Sequence, residues 1–152
     1  MAVGLFAGQG VTLVASAART TSTNSGNLKD TTANLSACDA FSIVLDVTAN
    51  AGDAPTLDVQ LDTSPDGGTT WFKAYGFTQV TTSTATRRLD VRYGGLNVGE
   101  AAAENSIAGT GQLKVDTVLS RDLRVKWTVA GNPSGITFGV YALIQPLGLR
   151  QV

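Results

Sequence analysis

The stretch from Leu57 to Tyr75, LDVQLDTSPDGGTTWFKAY, contains two strand patterns joined by a turn. Leu57, Val59 and Leu61 alternate with polar residues, and this period of two is typical of a strand with one buried and one solvated face. The intervening residues are rich in Ser, Pro, Asp and Gly, which favour turns, and a second strand pattern starts at Trp71. The stretch therefore predicts an antiparallel hairpin.

The same alternation recurs at intervals of about ten residues, and helix signals are almost absent. The apolar rows that we expect to form the core begin at Phe41, Leu57, Leu123 and Ile136. The segments NAGDAP (50–55) and NPSG (132–135) are predicted turns between separate strands. About eight short strands predict an all-β fold, an antiparallel β-sandwich of the jelly-roll or Ig-like type.

The chain has 152 residues, enough for one domain with a real core. We predict an N-terminal arm at 1–10, a single β-sandwich domain at 11–145 with a loop insertion at 94–111, and a C-terminal tail at 146–152. Within the insertion, AAAEN (101–105) has the composition of a single helical turn, although the flanking glycines oppose a longer helix.

The composition gives no sign of a nucleic-acid or membrane partner. The net charge is −1, from 11 basic and 12 acidic residues, and no basic excess indicates nucleic-acid binding. We expect no signal peptide, because the first ten residues lack a basic segment and a sustained apolar run, and no run of about 18 apolar residues predicts a membrane helix. Charged residues make up 15%, against roughly 25% in an ordinary soluble domain. A surface of Thr, Ser, Gly and Ala suits contact with neighbouring proteins, although the strand propensity of Thr explains the same composition.

Residues suited to catalysis or metal binding are scarce. The chain has no histidine, which removes the commonest general base and metal ligand. Cys38 is the single cysteine, so it has no disulfide partner, and we interpret it as a passive thiol of a protein assembled in a reducing compartment. Alternation puts Asp58 and Asp62 on one exposed face about 13 Å apart, too far to share a cation. We predict no catalytic residue, no enzyme activity, no cofactor and no metal site.

The two tryptophans and the basic residues have less specific interpretations. We expect Trp71 and Trp127 to lie in the core, because large aromatic side chains are usually well buried. Arg124 and Lys126 share an exposed strand face, near Trp71 only if the topology allows it. They are either solvated outer residues or part of a patch that meets an acidic partner.

The turn after Leu61 matches a known short pattern. Ser64, Asp66, Gly68 and Trp71 fit S-x-D-x-G-x-x-W, which resembles the Asp-box hairpin of sialidases and other β-proteins. Asp and Ser side chains satisfy turn amides, Gly permits a positive φ, and Trp packs under the loop. In those families the box is structural and remote from catalysis. It occurs once here, so it predicts a structural hairpin and no sialidase activity.

A wider resemblance is carried by four segments in fixed order: LVASAARTTSTNSG (13–26), LDVTANAGDAPTLDVQLDTSPDGGTTW (45–71), FTQVTT (77–82) and LRVKWTVAGNPSGITFGVYALI (123–144). With these segments the chain resembles a group of small structural virion proteins of tailed bacteriophages. The region at 94–118 departs from that pattern, because it is longer here than in the compact members of the group.

The resemblance implies a β-sandwich virion component. The role that we expect is a capsid cement or decoration protein, assembled in the bacterial host cytoplasm, that binds the major capsid protein lattice on the capsid exterior and stabilises the head. It would act as a homo-oligomer, a trimer or a dimer. Apolar residues of the arm and the insertion are the candidate partner-binding residues: Val3, Leu5, Phe6, Leu96, Val98 and Ile107.

Two alternative roles remain open from the sequence. One is a structural component of the neck or tail. The other is a carbohydrate-binding module on the virion surface, in which Trp71, Tyr75 or Tyr93 would serve as a stacking platform.

Overall fold

A computed structural model of the protein describes residues 9–29, 38–81, 84–92, 102–106, 113–114 and 120–146. This part of the chain contains strands and no helix. The strands are β1 (Gln9–Arg19), β2 (Thr23–Asn24), β3 (Cys38–Ser64), β4 (Phe72–Gly76), β5 (Ala85–Arg92), β6 (Ala102–Ser106), β7 (Leu113–Lys114) and β8 (Asp122–Pro146). All of their pairings are antiparallel, so the predicted antiparallel all-β fold is confirmed.

The centre of the sheet is a long ladder between β3 and β8. It starts with Cys38 opposite Pro146 and ends with Ser64 opposite Asp122. The two strands have 27 and 25 residues, which corrects the expectation that all strands are short. Each long strand joins two of the predicted strands into one.

The ladder has a corner in its middle, where the predicted turns lie. One register shift precedes Gly52 and another follows Asp53. Gly52 and Gly131 have φ angles of 133° and 81°, and Ala54 has a φ of 46°. Bulges and positive φ angles change the direction of a strand without ending its pairing. The segments 50–55 and 132–135 are therefore not chain reversals between strands, as predicted, but the two sides of one corner.

Shorter strands flank the ladder on each side of the corner. β1 pairs with residues 136–144 of β8, and β5 pairs with residues 40–47 of β3. We call this part the first half-sheet. β2 pairs with residues 126–127 of β8, and β4 pairs with residues 60–63 of β3. We call this part the second half-sheet.

The order of the strands is that of a jelly roll. We count β3 and β8 as two strands each, divided at the corner, and leave aside β6 and β7, which extend the sheet beyond β5. Numbered along the chain, the eight strands are β1 (first), β2 (second), the two parts of β3 (third and fourth), β4 (fifth), β5 (sixth) and the two parts of β8 (seventh and eighth). The strand order is first, eighth, third, sixth in the first half-sheet and second, seventh, fourth, fifth in the second half-sheet. Hydrogen bonds join all of these strands into a single sheet. The strand order within the sheet favours the jelly-roll form of the predicted sandwich over the Ig-like form.

Contact between two aromatic rings shows how sharply β8 bends. Trp127 lies in the second half-sheet and Phe138 in the first, and in a straight strand they would be about 36 Å apart at roughly 3.3 Å per residue. Their ring centroids are instead 5.7 Å apart, with an interplanar angle of 75°. At this point the inner faces of the two half-sheets therefore contact each other.

The inner faces carry the apolar rows predicted from the sequence. The buried members of these rows are Phe41, Ile43, Leu45, Val47, Leu57, Val59, Leu61, Leu123, Val125, Trp127, Ile136, Phe138, Val140, Ala142 and Ile144. The predicted core rows are thus confirmed, except that Val129 is only partly buried. At about 25 cal/mol per Å² of apolar area, burial of these rows is the main favourable contribution to folding.

Arg19 covers the aromatic contact from the side of β1. The centre of its guanidinium lies 4.4 Å from the Phe138 ring centroid and 5.1 Å from that of Trp127. Nη1 donates to the carbonyl oxygens of Ala17 (2.9 Å) and Phe138 (2.8 Å), and Nη2 donates to that of Ala15 (2.7 Å). Burial lowers the pKa of Arg19 from its ordinary value. The cation therefore satisfies main-chain acceptors beside the irregular part of β1.

The predicted insertion contains one of the shorter strands. β6 (Ala102–Ser106) pairs with Arg87, Arg88 and Leu89 of β5. The prediction of a single helical turn at 101–105 is therefore wrong. A helical turn that short is unfavourable in isolation, whereas pairing along the edge of β5 gives the segment a ladder of hydrogen bonds.

We expect Trp127→Ala to lower the free energy of unfolding by about 3–5 kcal/mol, the usual cost of removing a large aromatic side chain from a core. Trp127 is 5% exposed, and its Nε1 donates to the carbonyl oxygen of Thr21 at 3.2 Å. Urea denaturation measures the loss. Phe72→Ala is the matched control, because Phe72 is 57% exposed. Similar losses for the two variants would contradict the assignment of the inner face.

We expect Gly131→Ala to be more destabilising than Gly67→Ala. Both glycines have positive φ angles, 81° and 71°, so both substitutions carry the conformational cost of about 1–2 kcal/mol. A Cβ at Gly131 would also overlap the carbonyl oxygen of Ala54 across the corner, whereas a Cβ at Gly67 would have no atom within 4 Å. The overlap should add about 1–3 kcal/mol. Equal losses in urea denaturation would show that the corner is not closely packed.

Candidate interaction surface

The predicted hairpin turn lies at the end of the second half-sheet, between β3 and β4. The Ser64 hydroxyl accepts a hydrogen bond from the Gly68 N–H at 2.8 Å and donates to Asp66 Oδ1 at 2.9 Å. The same carboxylate oxygen accepts from the Thr70 N–H at 2.7 Å, and the Trp71 indole N–H donates to the carbonyl oxygen of Gly68 at 2.9 Å. The polar groups of this turn therefore bond to one another.

Trp71 lies against Arg124 rather than in the core. It is half-buried, which corrects the expectation that it is a core residue. The Arg124 guanidinium centre is 4.5 Å from the centroid of the Trp71 ring, within the range of a cation–π interaction. The topology thus brings together the tryptophan of the hairpin and one of the two basic residues predicted on the exposed face of β8.

Arg124 also pairs with Asp62, which is buried. The sequence put this carboxylate on an exposed face, but Asp62 is 2% exposed. Arg124 Nε is 2.9 Å from Asp62 Oδ2, and the Gln60 amide donates to Oδ1. The same cation therefore pairs with the carboxylate and stacks on the indole. Removal of Arg124 would leave a buried charge without its cation, which typically costs several kcal/mol.

Two polar residues that the sequence analysis did not identify support this end of the fold. The Asn27 amide donates to Asp122 Oδ1 at 2.7 Å. The Ser120 hydroxyl bonds with the Thr63 hydroxyl at 3.0 Å and also donates to the Ser64 carbonyl oxygen. Both residues are distant in sequence from the hairpin. No local pattern indicates them, because their role depends on which strands become neighbours.

The three aromatic residues proposed as alternative carbohydrate platforms differ in their surroundings. Tyr75 is 3% exposed, so its ring is not accessible. One face of Trp71 is occupied by Arg124, and its edge lies beside Gly68, where an added Cβ would be 3.3 Å from Cζ2. Tyr93 lies outside the described residues. The exposed aromatic residue at this end is Phe72.

The central strands of the two half-sheets differ in charge. On those of the second half-sheet, charged residues alternate with the core residues: Asp58, Asp62, Arg124 and Lys126. On those of the first half-sheet, only Asp46 is charged among the residues that alternate with the core: Ser42, Val44, Asp46, Thr137, Gly139, Tyr141 and Leu143. Leu143 is 45% exposed, a high value for a large aliphatic side chain. The central strands of the first half-sheet are therefore the less charged, whereas β5 beside them adds the exposed Arg88.

The six candidate partner-binding residues, Val3, Leu5, Phe6, Leu96, Val98 and Ile107, lie outside the described residues. The predicted arm was 1–10, and β1 starts at Gln9. Their role in binding stays a prediction.

The described part of the chain holds no arrangement of side chains typical of a metal centre. No group of three or more His, Cys, Asp or Glu residues is positioned there to hold an ion. No helix in the same residues is long and apolar enough to cross a membrane.

We expect Asp66 to contribute stability that depends on pH. Hydrogen bonds, the largest from the Thr70 backbone N–H, lower the pKa of Asp66 to about 2. A carboxyl group with a lowered pKa stabilises the fold above its unfolded pKa of about 3.9, and this contribution is lost as the pH falls towards the folded value. Asp66→Asn lacks the charge at every pH, so its stability difference from the wild type should shrink between about pH 4 and pH 2.

Urea denaturation at several pH values measures this difference, and an NMR titration gives the pKa directly. Asp53→Asn, at an exposed position outside the turn, is the control for the loss of a carboxylate. A difference between wild type and Asp66→Asn that does not change with pH would contradict the role of the Asp66 charge.

Comparisons of the chain with protein-family models, with curated proteins and with solved structures found no match.

Proposed function

We propose that the protein is a structural component of a tailed-phage virion, a cement or decoration protein that binds the capsid exterior and stabilises the head. The observation that carries the proposal is where the resembling segments lie in the fold. Segment 13–26 covers most of β1 and all of β2, segment 45–71 covers much of β3 and the hairpin turn, and segment 123–144 covers almost all of β8. The resemblance thus follows the central ladder and its neighbours.

The arrangement of polar groups supports a binding role rather than a chemical one. Asp62, Asp66 and Arg124 are the most strongly engaged charged residues of the second half-sheet, and each bonds to its neighbours. The chain has no histidine. What remains available to a partner is the outside of a small jelly roll with few charges, and jelly rolls occur in viral capsid proteins among other classes.

A protein of this kind would stabilise a capsid by mass action. Contacts that exist only on the assembled shell favour the shell over its dissociated subunits, and no reaction is needed. A standard interface buries about 1,600 Å² in total, so several contacts per molecule are required for strong binding. The major capsid protein is the partner that we propose, and the candidate residues of the arm and the insertion would add to the contact area.

The test compares phage heads that carry the protein with heads from which it has been removed. We expect the stripped heads to release DNA at a lower temperature, and added purified protein to restore the original release temperature. An unrelated protein of similar size, added at the same concentration, is the control. Identical release temperatures with and without the protein would overturn the proposed role.

The number of copies per particle separates the shell from other sites. Hundreds of copies would agree with a position on the shell, because the capsid lattice repeats its subunits many times. A count of about a dozen or fewer would contradict the shell and indicate a ring at the neck or tail.

A further inference from the structure

β1 forms the edge of the first half-sheet. One side of the strand pairs with β8, and in the described part of the chain no strand pairs with its other side. An edge strand presents a row of N–H and C=O groups that another extended strand can pair with. Edge strands of this kind are either protected or used for association.

The accessible part of this edge is its first half. Gln9 to Thr12 pair with Ile144 to Tyr141 in continuous register, and the first register shift follows Thr12. Further along the strand the register shifts again between Val14 and Ala17, and Arg19 Nη1 donates to the carbonyl oxygens of both Ala17 and Phe138, between β1 and β8. Residues 9–12 are therefore the regular segment with which a new strand could pair.

The other short edge strands in the described residues carry protective features, and this segment does not. β2 has only two residues. β4 has five residues, a register shift beside Asp62, and an exposed lysine, Lys73, whose side chain lies over Gly76. Shortness, bulges and lysine are common ways to block edge pairing. By contrast, no charged residue occurs between Gln9 and Ala18.

A neighbouring side chain also indicates that this edge is covered. Leu143 is 45% exposed and pairs directly with Gly10. Its Cδ2 would be in ordinary van der Waals contact, at 3.9 Å, with a Cβ at Gly10, so the leucine lies beside the glycine on the same face of the sheet. A strand added beyond β1 would lie about 4.8 Å further out and would cover part of this apolar side chain.

We propose that residues Gln9–Thr12 pair in antiparallel register with the same residues of a second copy of this chain. An antiparallel pair of identical strands has two-fold symmetry, so each copy offers the surface that the other needs. The absence of charge means that the symmetry axis brings no like charges together, and Gly10 and Thr12, both exposed, allow close approach. This pairing deepens the homo-oligomer that forms part of the proposed function, but it can be tested without phage particles.

The test compares the wild type with Thr12→Lys and with the control Thr128→Lys. Thr128 is also exposed, but it lies on a central strand of the second half-sheet. Light scattering coupled to size-exclusion chromatography, at about 10 to 100 µM, gives the oligomeric state. We expect wild type and Thr128→Lys to be dimers at the upper concentration and Thr12→Lys to be a monomer, because an edge lysine opposes pairing.

Hydrogen exchange locates the contact. In the wild type, amides within residues 9–12 should exchange at least about tenfold more slowly at high than at low protein concentration, equivalent to about 1.4 kcal/mol. Thr12→Lys should show no such dependence. Melting at low concentration should be similar for all three proteins, which shows that the lysine acts on association and not on folding.

Three results would overturn the pairing: a monomeric wild type at the upper concentration, a Thr12→Lys variant that still forms dimers, or concentration-dependent protection elsewhere than residues 9–12. A monomeric wild type in which Thr12→Lys weakens binding to capsids would assign the edge to the capsid protein and reject a second copy. Failure of the dimer leaves the test on phage heads unaffected, and failure on heads leaves the dimer measurement unaffected.

Discussion

The ladder between β3 and β8 is the constraint on which the rest of the fold depends. It continues through a corner, from Cys38 and Pro146 at one end to Ser64 and Asp122 at the other. Every strand of the two half-sheets other than these two pairs with one of them. Because the corner turns both strands together, the apolar rows on either side face each other, and Trp127 contacts Phe138. The core therefore depends on the corner, and the positive φ angles of Gly52 and Gly131 make the corner possible.

Much of this fold could be predicted from the sequence, and the corner could not. Alternation identified the core rows because strand periodicity is local. The segment around Gly52 and the segment around Gly131 each have the composition of a turn, and a turn is also what a bulged bend requires. Only the pairing of the two segments with each other distinguishes a corner from a chain reversal. That pairing joins residues about 80 positions apart, so no single window of sequence contains it.

The errors at the candidate surface have the same origin. Trp71 was expected in the core because tryptophan usually is, and Asp62 was expected in solvent because aspartate usually is. Arg124 changes both outcomes: it pairs with the carboxylate and stacks on the indole. The hairpin pattern around Ser64 and Asp66 needed only local hydrogen bonds, whereas the contact with Arg124 requires β3 and β8 to be neighbours. Sequence patterns are most informative where the interacting residues are close in the chain.

The two half-sheets differ in how their polar groups contribute. Those of the second half-sheet stabilise the fold, whereas the edge of the first half-sheet is the place that we propose for association. In the second half-sheet, the buried Asp62 pairs with Arg124, so this part of the molecule gains internal order from a charge pair. In the first half-sheet, the residues of β3 and β8 that alternate with the core are mostly uncharged, and the edge at Gln9–Thr12 has no charge that would repel a partner strand. Arg19 lies at the irregular part of β1, where its guanidinium donates to carbonyl oxygens of both β1 and β8. This side chain thus joins the irregular part of the edge strand to its neighbour, whereas the regular part, Gln9–Thr12, has no partner strand on its outer side among the described residues. A regular, uncharged segment beside an irregular one is the arrangement expected of an edge that pairs at one place only.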